Sequence, residues 1–485
     1  MKKNLSIVIL LISLAISQSV FSQTYSFEKG KVPEGWKIDK GVLHISSEKY
    51  KSGSRSLQIK WKQNAVLTLP SPTGISEACR NRNGGMNAWI YNESPTKENL
   101  LFSFRDETGK EVCQLPFLLD FKGWRCIWAK FQGDMNMSSK SNIQSVEIQF
   151  PQHTKKGVTY IDLLEFTSKV SWQNMSDAQY KVNRTDYSLI PDFIGYRNAT
   201  PKVEKVITAE DNQITTITNR LTTWYLGSGQ HSSERWIKMR TENEKTFIRN
   251  GVKAAQKIKI QYTEDHTPQG EPLFPMGAPT IIDGQEAKKF RSINENILLP
   301  LALDYRKNQN DQSLKKALYI YDWFNDQGWA DGSSMGTLCF EKLRSSGYFH
   351  SFFLLKEQLS SEQLKRELQT MNWFTMFGAC YQLPSHAGEV ADNLRALAIP
   401  KLIYALSQND KQEREVALTA FKHYMDNALG IAPGFFGTFK ADFSGYHHRG
   451  PYHSAYYPHA LYAGALIAYL LHDTPSVSYT HLRAH

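Results

Sequence analysis

The sequence predicts a multidomain chain: an N-terminal β-sandwich of jelly-roll type followed by an incomplete α/α toroid. Three observations carry that expectation. Apolar residues recur with a period of two from Thr24 to about Phe166. Beyond about residue 200 the period lengthens to 3.6. Between them, 171–200 is polar with few periodic apolar positions and reads as a linker. A length of 485 residues suits two or three such domains.

At the N-terminus, Lys2 and Lys3 precede an apolar run from Leu5 to Ile16, then small residues up to Gln23. This is the form of a secretory signal over 1–22, cleaved after Ser22, and implies a secreted or periplasmic protein. The run is too short to span a bilayer comfortably and nothing later exceeds it, so no membrane partner is expected.

Residues 23–170 read as a carbohydrate-binding-like sandwich. Ser56–Trp61, Leu101–Phe104 and Val146–Phe150 alternate, and turn clusters at Lys51–Ser54 and Asp106–Gly109 separate them. Phe27-Glu28 and Pro33–Trp36, with Ser52–Leu57, look like the opening of carbohydrate-binding sandwiches. Trp36, Trp61, Trp89, Trp124 and Trp128 are expected mostly in the core, with sugar stacking as the other use.

From 201 to 475 the pattern is helical. Val416, Phe421, Tyr424, Met425 and Leu429 share a stripe on a helix opening near Asp410. Phe352–Leu355 is apolar all round, the mark of a buried helix. Leu397, Ile399, Leu402, Ile403 and Leu406 mark another around Pro400, and Ala460–Leu471 a last one. Helices joined by long irregular loops predict a toroid of paired helices with a cleft at one end. The 260–290 stretch is the longest non-helical insert. After Pro475 the tail 476–485 starts no new element, and the chain reads as truncated there.

Hydrophobic content of 41% and charged content of 21% are those of a soluble globular protein. Without the signal's two lysines, 55 basic residues face 47 acidic ones, a net +8. No Lys/Arg-dense run of the nucleic-acid kind accompanies it, so a sulfated or uronic-acid polysaccharide is the expected partner, and the chain reads as a monomer. Five cysteines, Cys79, Cys113, Cys126, Cys339 and Cys380, lack metal spacing; one disulfide among the first three is the most they suggest.

The chemistry is expected in 446–462, which holds four of fourteen histidines and five tyrosines. Imidazole titrates near neutral pH and phenol near 10, so together they supply acid and base to a substrate. The histidines have no accompanying carboxylate at ligand spacing, so neither metal nor cofactor is expected. No Gly-x-Ser-x-Gly elbow supports serine hydrolysis.

The run Phe439–Tyr452, then Ala455-Tyr456, then Leu470–Pro475 resembles the catalytic strip of the chondroitin sulfate ABC lyases, family-eight polysaccharide lyases. Asp326-Gln327-Gly328 to Ser333, Arg344–Tyr348 and Ala391–Arg395 agree with it. The resemblance spans nearly the whole chain up to Pro475. It implies β-elimination on chondroitin and dermatan sulfates: loss of the uronate C5 proton and expulsion of the C4 oxygen. By resemblance Asn393 neutralises the uronate carboxylate. Tyr456 is the base on glucuronate and the acid for the leaving oxygen, and His448 is the base on iduronate. Arg449 or Arg395 would favour the phenolate. The strip has one residue more than the family pattern between the two rings, so Tyr457 and Tyr452 stand as substitutes for Tyr456. His453, His447 and Arg344 are further expected sugar contacts. The family's later arginine and glutamate would fall beyond Pro475, so little activity is expected of these residues alone.

Two other readings remain open on sequence. One is a non-catalytic glycosaminoglycan-binding protein. The other is a toroidal hydrolase using Asp442 and Glu389, which would need two carboxylates at hydrolase spacing.

Overall fold

The computed structural model describes residues 24–475, except 171–175, 182–192, 203–205, 209, 228–233, 263–266, 275–280, 283–284, 287 and 336–341. The expected signal at 1–22, the tail 476–485 and Cys339 lie outside the described residues. The chain divides into two compact units between Thr185 and Asp186.

The first unit is two antiparallel five-stranded sheets. One has the order β1 (Lys37–Ile38), β4 (Val66–Pro70), β9 (Ser145–Gln149), β6 (Asn99–Arg105), β7 (Glu111–Leu118). The other runs β2 (Gly41–Ser46), β3 (Ser56–Lys62), β10 (Lys156–Thr167), β5 (Gly85–Asn92), β8 (Gly123–Lys130). Successive side chains in a strand face opposite ways, so one register buries a whole row. Phe102 and Phe104 of β6, Leu115 and Phe117 of β7, and Val146 and Ile148 of β9 point inward. They join Leu57 and Ile59 of β3, Ile90 of β5 and Ile161 of β10 in a single core. Each such side chain contributes about 1.5–3 kcal/mol relative to exposure. A short helix, α1 (Ile75–Arg80), closes one end.

Four of the five tryptophans singled out in the sandwich are buried, and Trp128 is half-buried. Trp61 stacks on Phe150 with its indole N–H donating to Thr159 Oγ1 at 3.1 Å. The Glu28 and Ser52–Ser54 signals meet: Ser54 N donates to Glu28 Oε1 at 3.0 Å and Arg55 N at 2.9 Å. Gly53, at φ 65°, lies where a Cβ would fall 2.5 Å from that carboxylate, so the close approach requires glycine.

Two expectations are corrected here. The described cysteines, Cys79, Cys113, Cys126 and Cys380, are buried free thiols, so no disulfide joins the first three. Burial pushes Cys79 up to about 11 and Cys113 to about 12, and Cys126 Sγ donates to Asp177 Oδ1 at 3.3 Å. The second concerns the linker interval, parts of which are packed. Asp177 accepts from Cys126 N at 2.9 Å, Tyr180 OH accepts from Trp128 N at 2.8 Å, and the Tyr180 ring enters the sandwich core. A polar composition concealed these anchors. Further on, α2 (Phe193–Arg197) belongs to the second unit, where Arg197 clamps Asp331 at 2.8 Å.

The second unit is helical: α3 (Asp211–Leu226), α4 (Arg235–Ala255), α5 (Phe290–Ile293), α6 (Leu299–Asn308), α7 (Asp311–Asp326), α8 (Ser346–Leu355), α9 (Ser361–Thr375), α10 (Ala391–Leu406), α11 (Lys411–Ala428) and α12 (Tyr456–Leu471). The starts follow capping chemistry. Asn310 Oδ1 accepts from Gln312 N, Ser360 and Gln363 form a capping box, and Asp410 accepts from Glu413 N at 2.9 Å. Helix α8 is buried along nearly its whole length, as its all-round apolar sequence requires. Pro400 sits inside α10 with its ring buried and leaves one carbonyl of the preceding turn without its helical partner. Helices pack in pairs, α4 with α6, α6 with α7, and α10 with α11 and α12. Among its described residues the 260–290 insert has strands of two or three residues, as in Ile260–Tyr262 paired with Pro268–Gly270. Helix α12 starts at Tyr456, earlier than the expected Ala460, so Tyr456 and Tyr457 are helical residues. Pro458 is tolerated because it lies in the first turn.

Candidate active site

The His–Tyr strip folds as a hairpin running into α12. Tyr446 pairs with Pro451 and His447 with Gly450. The two residues between, His448 and Arg449, have φ of 50° and 64°. Positive φ at both central positions is the type I′ arrangement, which normally draws Asn and Gly. For other side chains each such residue costs roughly 1–2 kcal/mol. The bend sets His448 out into solvent and turns His447 inward, where it is buried.

The hairpin meets two helix starts. Leu394 is fully buried and fixes the rotation of α10, and Ala460, Ala463 and Ile467 do the same for α12. The first turns of these two helices therefore lie together. Arg395 sets its guanidinium 5.1 Å from the centre of the Tyr456 ring. On Tyr456 lies the His447 imidazole, 4.0 Å between centres and 21° from parallel. His448 stands 3.9 Å from His447 and 6.0 Å from Tyr456, and Tyr452 lies edge-on to Tyr456 at 5.0 Å.

Asp392 ties the group together. One carboxylate oxygen accepts from Arg395 Nε at 2.8 Å and from its terminal nitrogen at 2.5 Å. The other stands 3.5 Å from His447 Nε2. Neither ring nitrogen of His447 has a hydrogen-bond partner among the described residues, and a buried polar group left unsatisfied is costly. Burial holds the His447 imidazole below its ordinary pKa, Asp392 opposing and His448 and Arg395 reinforcing, so it is neutral near pH 7. The Tyr456 hydroxyl likewise has no hydrogen-bond partner among the described residues, and the Arg395 guanidinium lies over its ring face.

Asn393 lies in the same turn of α10. Its Nδ2 donates to Glu389 Oε1 at 3.2 Å, and its Oδ1 accepts from Lys342 Nζ at 3.4 Å. Glu389 also accepts from Tyr424 OH at 2.8 Å. Sequence reasoning missed Asp392, Lys342 and Tyr424 as members of this cluster. Asp392 stood in the quoted Asp-Asn-Leu-Arg run, but its role depends on a hairpin that folds across from some fifty residues away.

The other expected residues scatter. Tyr457 packs on Phe439 at 5.8 Å and donates to Phe443 O at 3.4 Å, and Gly445 leaves it room, since a Cβ there would fall 1.9 Å from its ring. His453 is exposed, 6.4 Å from the Tyr457 ring. Arg449 faces Phe436 at 5.9 Å, so of the two arginines only Arg395 reaches Tyr456. Arg344 offers its backbone carbonyl to Asn294 and makes no ring contact or hydrogen bond with the strip. Asp442 is exposed and held below the usual carboxylate range by hydrogen bonds from Ser444, contrary to what a hydrolase acid needs. Among the described residues no group of three or more His, Cys, Asp or Glu could hold a metal ion, and no helix is long and apolar enough to cross a membrane.

Comparison with known families identifies both the sandwich and the helical unit as lyase domains. Residues 21–182 match the family model described as the lyase N-terminal domain, and 200–481 match that of the lyase catalytic domain. The chain belongs to this lyase family. It is 25% identical over 464 residues to a chondroitin sulfate ABC exolyase of Bacteroides thetaiotaomicron, covering 88% of this chain and 43% of that protein. To a chondroitin sulfate ABC exolyase of Proteus vulgaris it is 21% identical, covering 95% of this chain and 48% of that one. The chain thus spans less than half the length of these curated relatives. A solved family 11 carbohydrate-binding module from Clostridium thermocellum is similar to 32% of this chain and 99% of its own at 11% identity, with a TM-score of 0.23, a likeness too slight to bear on function.

Proposed function

We propose that this chain carries the catalytic strip of a polysaccharide lyase that cleaves chondroitin and dermatan sulfates by β-elimination. The observation that carries the reading is the Tyr456 phenol, without a hydrogen-bond partner among the described residues, with the Arg395 guanidinium and the His447 imidazole both against its ring. The names of the two curated relatives support the substrate class.

In this reading Tyr456, as phenolate, takes the C5 proton of glucuronate. The C5–H electrons form the C4–C5 double bond, the C4–O bond breaks, and the new phenol returns a proton to the leaving oxygen. Asn393 hydrogen-bonds the uronate carboxylate, so that negative charge spreading from C5 meets a preorganised partner. For iduronate, whose C5 proton faces the other way, His448 at the hairpin tip is the base. His447, its ring nitrogens unsatisfied, accepts or donates to a sugar hydroxyl. Tyr452, His453 and Arg449 line the approach of the chain. The protein acts outside the cytoplasm, as a monomer, on an extracellular polymer.

The test is to incubate the full-length gene product with chondroitin sulfate and follow the ultraviolet absorbance of unsaturated uronate. A rise that Tyr456→Phe abolishes is expected. Retention of dermatan sulfate with no rise would favour glycan binding without chemistry. New reducing ends without a double bond would point to hydrolysis.

A further inference from the structure

Helix α4 carries six cationic side chains against two acidic ones over Arg235–Ala255, a concentration of positive charge well above that of the chain as a whole. That charge is not spread over a convex surface. Between α4 and α6 runs a groove with a volume of about 780 Å³. Lys245, Arg249 and Lys253 stand along one wall at successive four-residue steps, about 6 Å apart along the axis. Ile248, buried, and Val252, half-buried, form an apolar strip on the adjacent row of the helix.

The acids in the groove are already committed. Glu244 pairs with Lys307 across it. Asp304 accepts from Asn308 and Asn310, each at 2.7 Å, and from Ser313 at 2.5 Å. Among the described residues Lys245 pairs with Glu242, in an exposed contact at 2.8 Å that contributes little. Arg249 and Lys253 have no carboxylate partner among the described residues. The groove therefore presents uncompensated cations in a row beside an apolar strip.

We propose that this groove is a second, non-catalytic binding site for a sulfated glycan. Such a chain repeats anionic groups at the edges of successive sugar rings while exposing apolar C–H faces. The sulfates meet Lys245, Arg249 and Lys253, and a ring face lies on Ile248 and Val252. The groove shares no residue with the His–Tyr strip. The choice of a sulfated glycan over another polyanion rests on the lyase reading. The site holds a long polymer to the protein while its end is processed elsewhere.

The test uses the full-length protein and dextran sulfate, a sulfated glycan without uronic acid that no β-elimination can consume, with neutral dextran as control. Arg249→Glu with Lys253→Glu changes two exposed side chains and leaves the core alone, which a thermal melt verifies. The double variant should bind dextran sulfate at least about tenfold more weakly and lose roughly two contacts' worth of salt dependence. Its turnover of a chondroitin tetrasaccharide should be unchanged, since none of the groove's lining residues belongs to the strip. Equal dextran sulfate affinity in the two proteins overturns the proposal, as does a single-stranded polynucleotide competing more strongly than dextran sulfate. If chondroitin is not cleaved at all yet dextran sulfate affinity falls in the variant, the lyase reading fails and the groove stands.

Discussion

Aromatic rings do opposite work in the sandwich and in the hairpin strip. In the sandwich, Trp36 and Trp61 disappear into a continuous apolar core, and Trp61 satisfies its single donor on Thr159. In the strip, Tyr452 keeps 37% of its surface exposed, and buried His447 has no hydrogen-bond partner among the described residues, only the Asp392 carboxylate 3.5 Å from its Nε2. The first arrangement minimises free energy locally. The second buries the His447 ring without a hydrogen bond among the described residues, which costs free energy.

Substitutions can break this contrast from either side. The largest expected effect is Tyr456→Phe, which should lower turnover by about 10²–10⁴-fold in an absorbance assay while the melting curve barely moves. Trp61→Ala should do the reverse, costing about 3–5 kcal/mol in denaturant unfolding of the sandwich with little change in turnover per folded molecule. Acid should separate the units next. His44 and His153 of the sandwich are exposed, whereas packing against Trp224 and Tyr225 pushes His350 of α8 down to about 4. The unfolded chain then takes up a proton below about pH 6.5 that the folded one refuses. Stability is intact above that pH and lost as it falls toward 4, by about 2 kcal/mol once the ring's residual exposure is allowed for. His350→Phe should flatten that dependence in urea melts at pH 7 and pH 4.5. The smallest effect expected is from Asp392→Asn, a positioning residue. It should lower kcat about tenfold and shift the acidic limb of the pH–rate profile to lower pH, because His447 loses the carboxylate that favours its protonation. A purely structural role for Asp392 would leave that limb in place.

The readable parts of this fold are those where one local pattern decides. Alternation placed β3, β6 and β9, because burying one sheet face forces it. The apolar run Phe352–Leu355 gave α8, and Asp410 marked the start of α11. The hairpin at His448–Arg449 escaped because its turn lacks the Asn-Gly signature that makes such bends visible. Asp177 and Tyr180 escaped because their partners on β8 lie far away in sequence. In the strip, composition marked the ring-rich segment, and the resemblance singled out Tyr456 and His448, whose rings the fold brings to 6.0 Å of one another. Asp392 and Lys342 act through pairings that only the assembled helix starts create.

The tight bend carrying His448 and Arg449 has a thermodynamic reading of its own. A chain selected only for resistance to unfolding would place smaller residues of left-handed habit there, and this one keeps an imidazole and a guanidinium instead. Stability is thus given up where those two side chains project, at two adjacent left-handed positions among several along the chain.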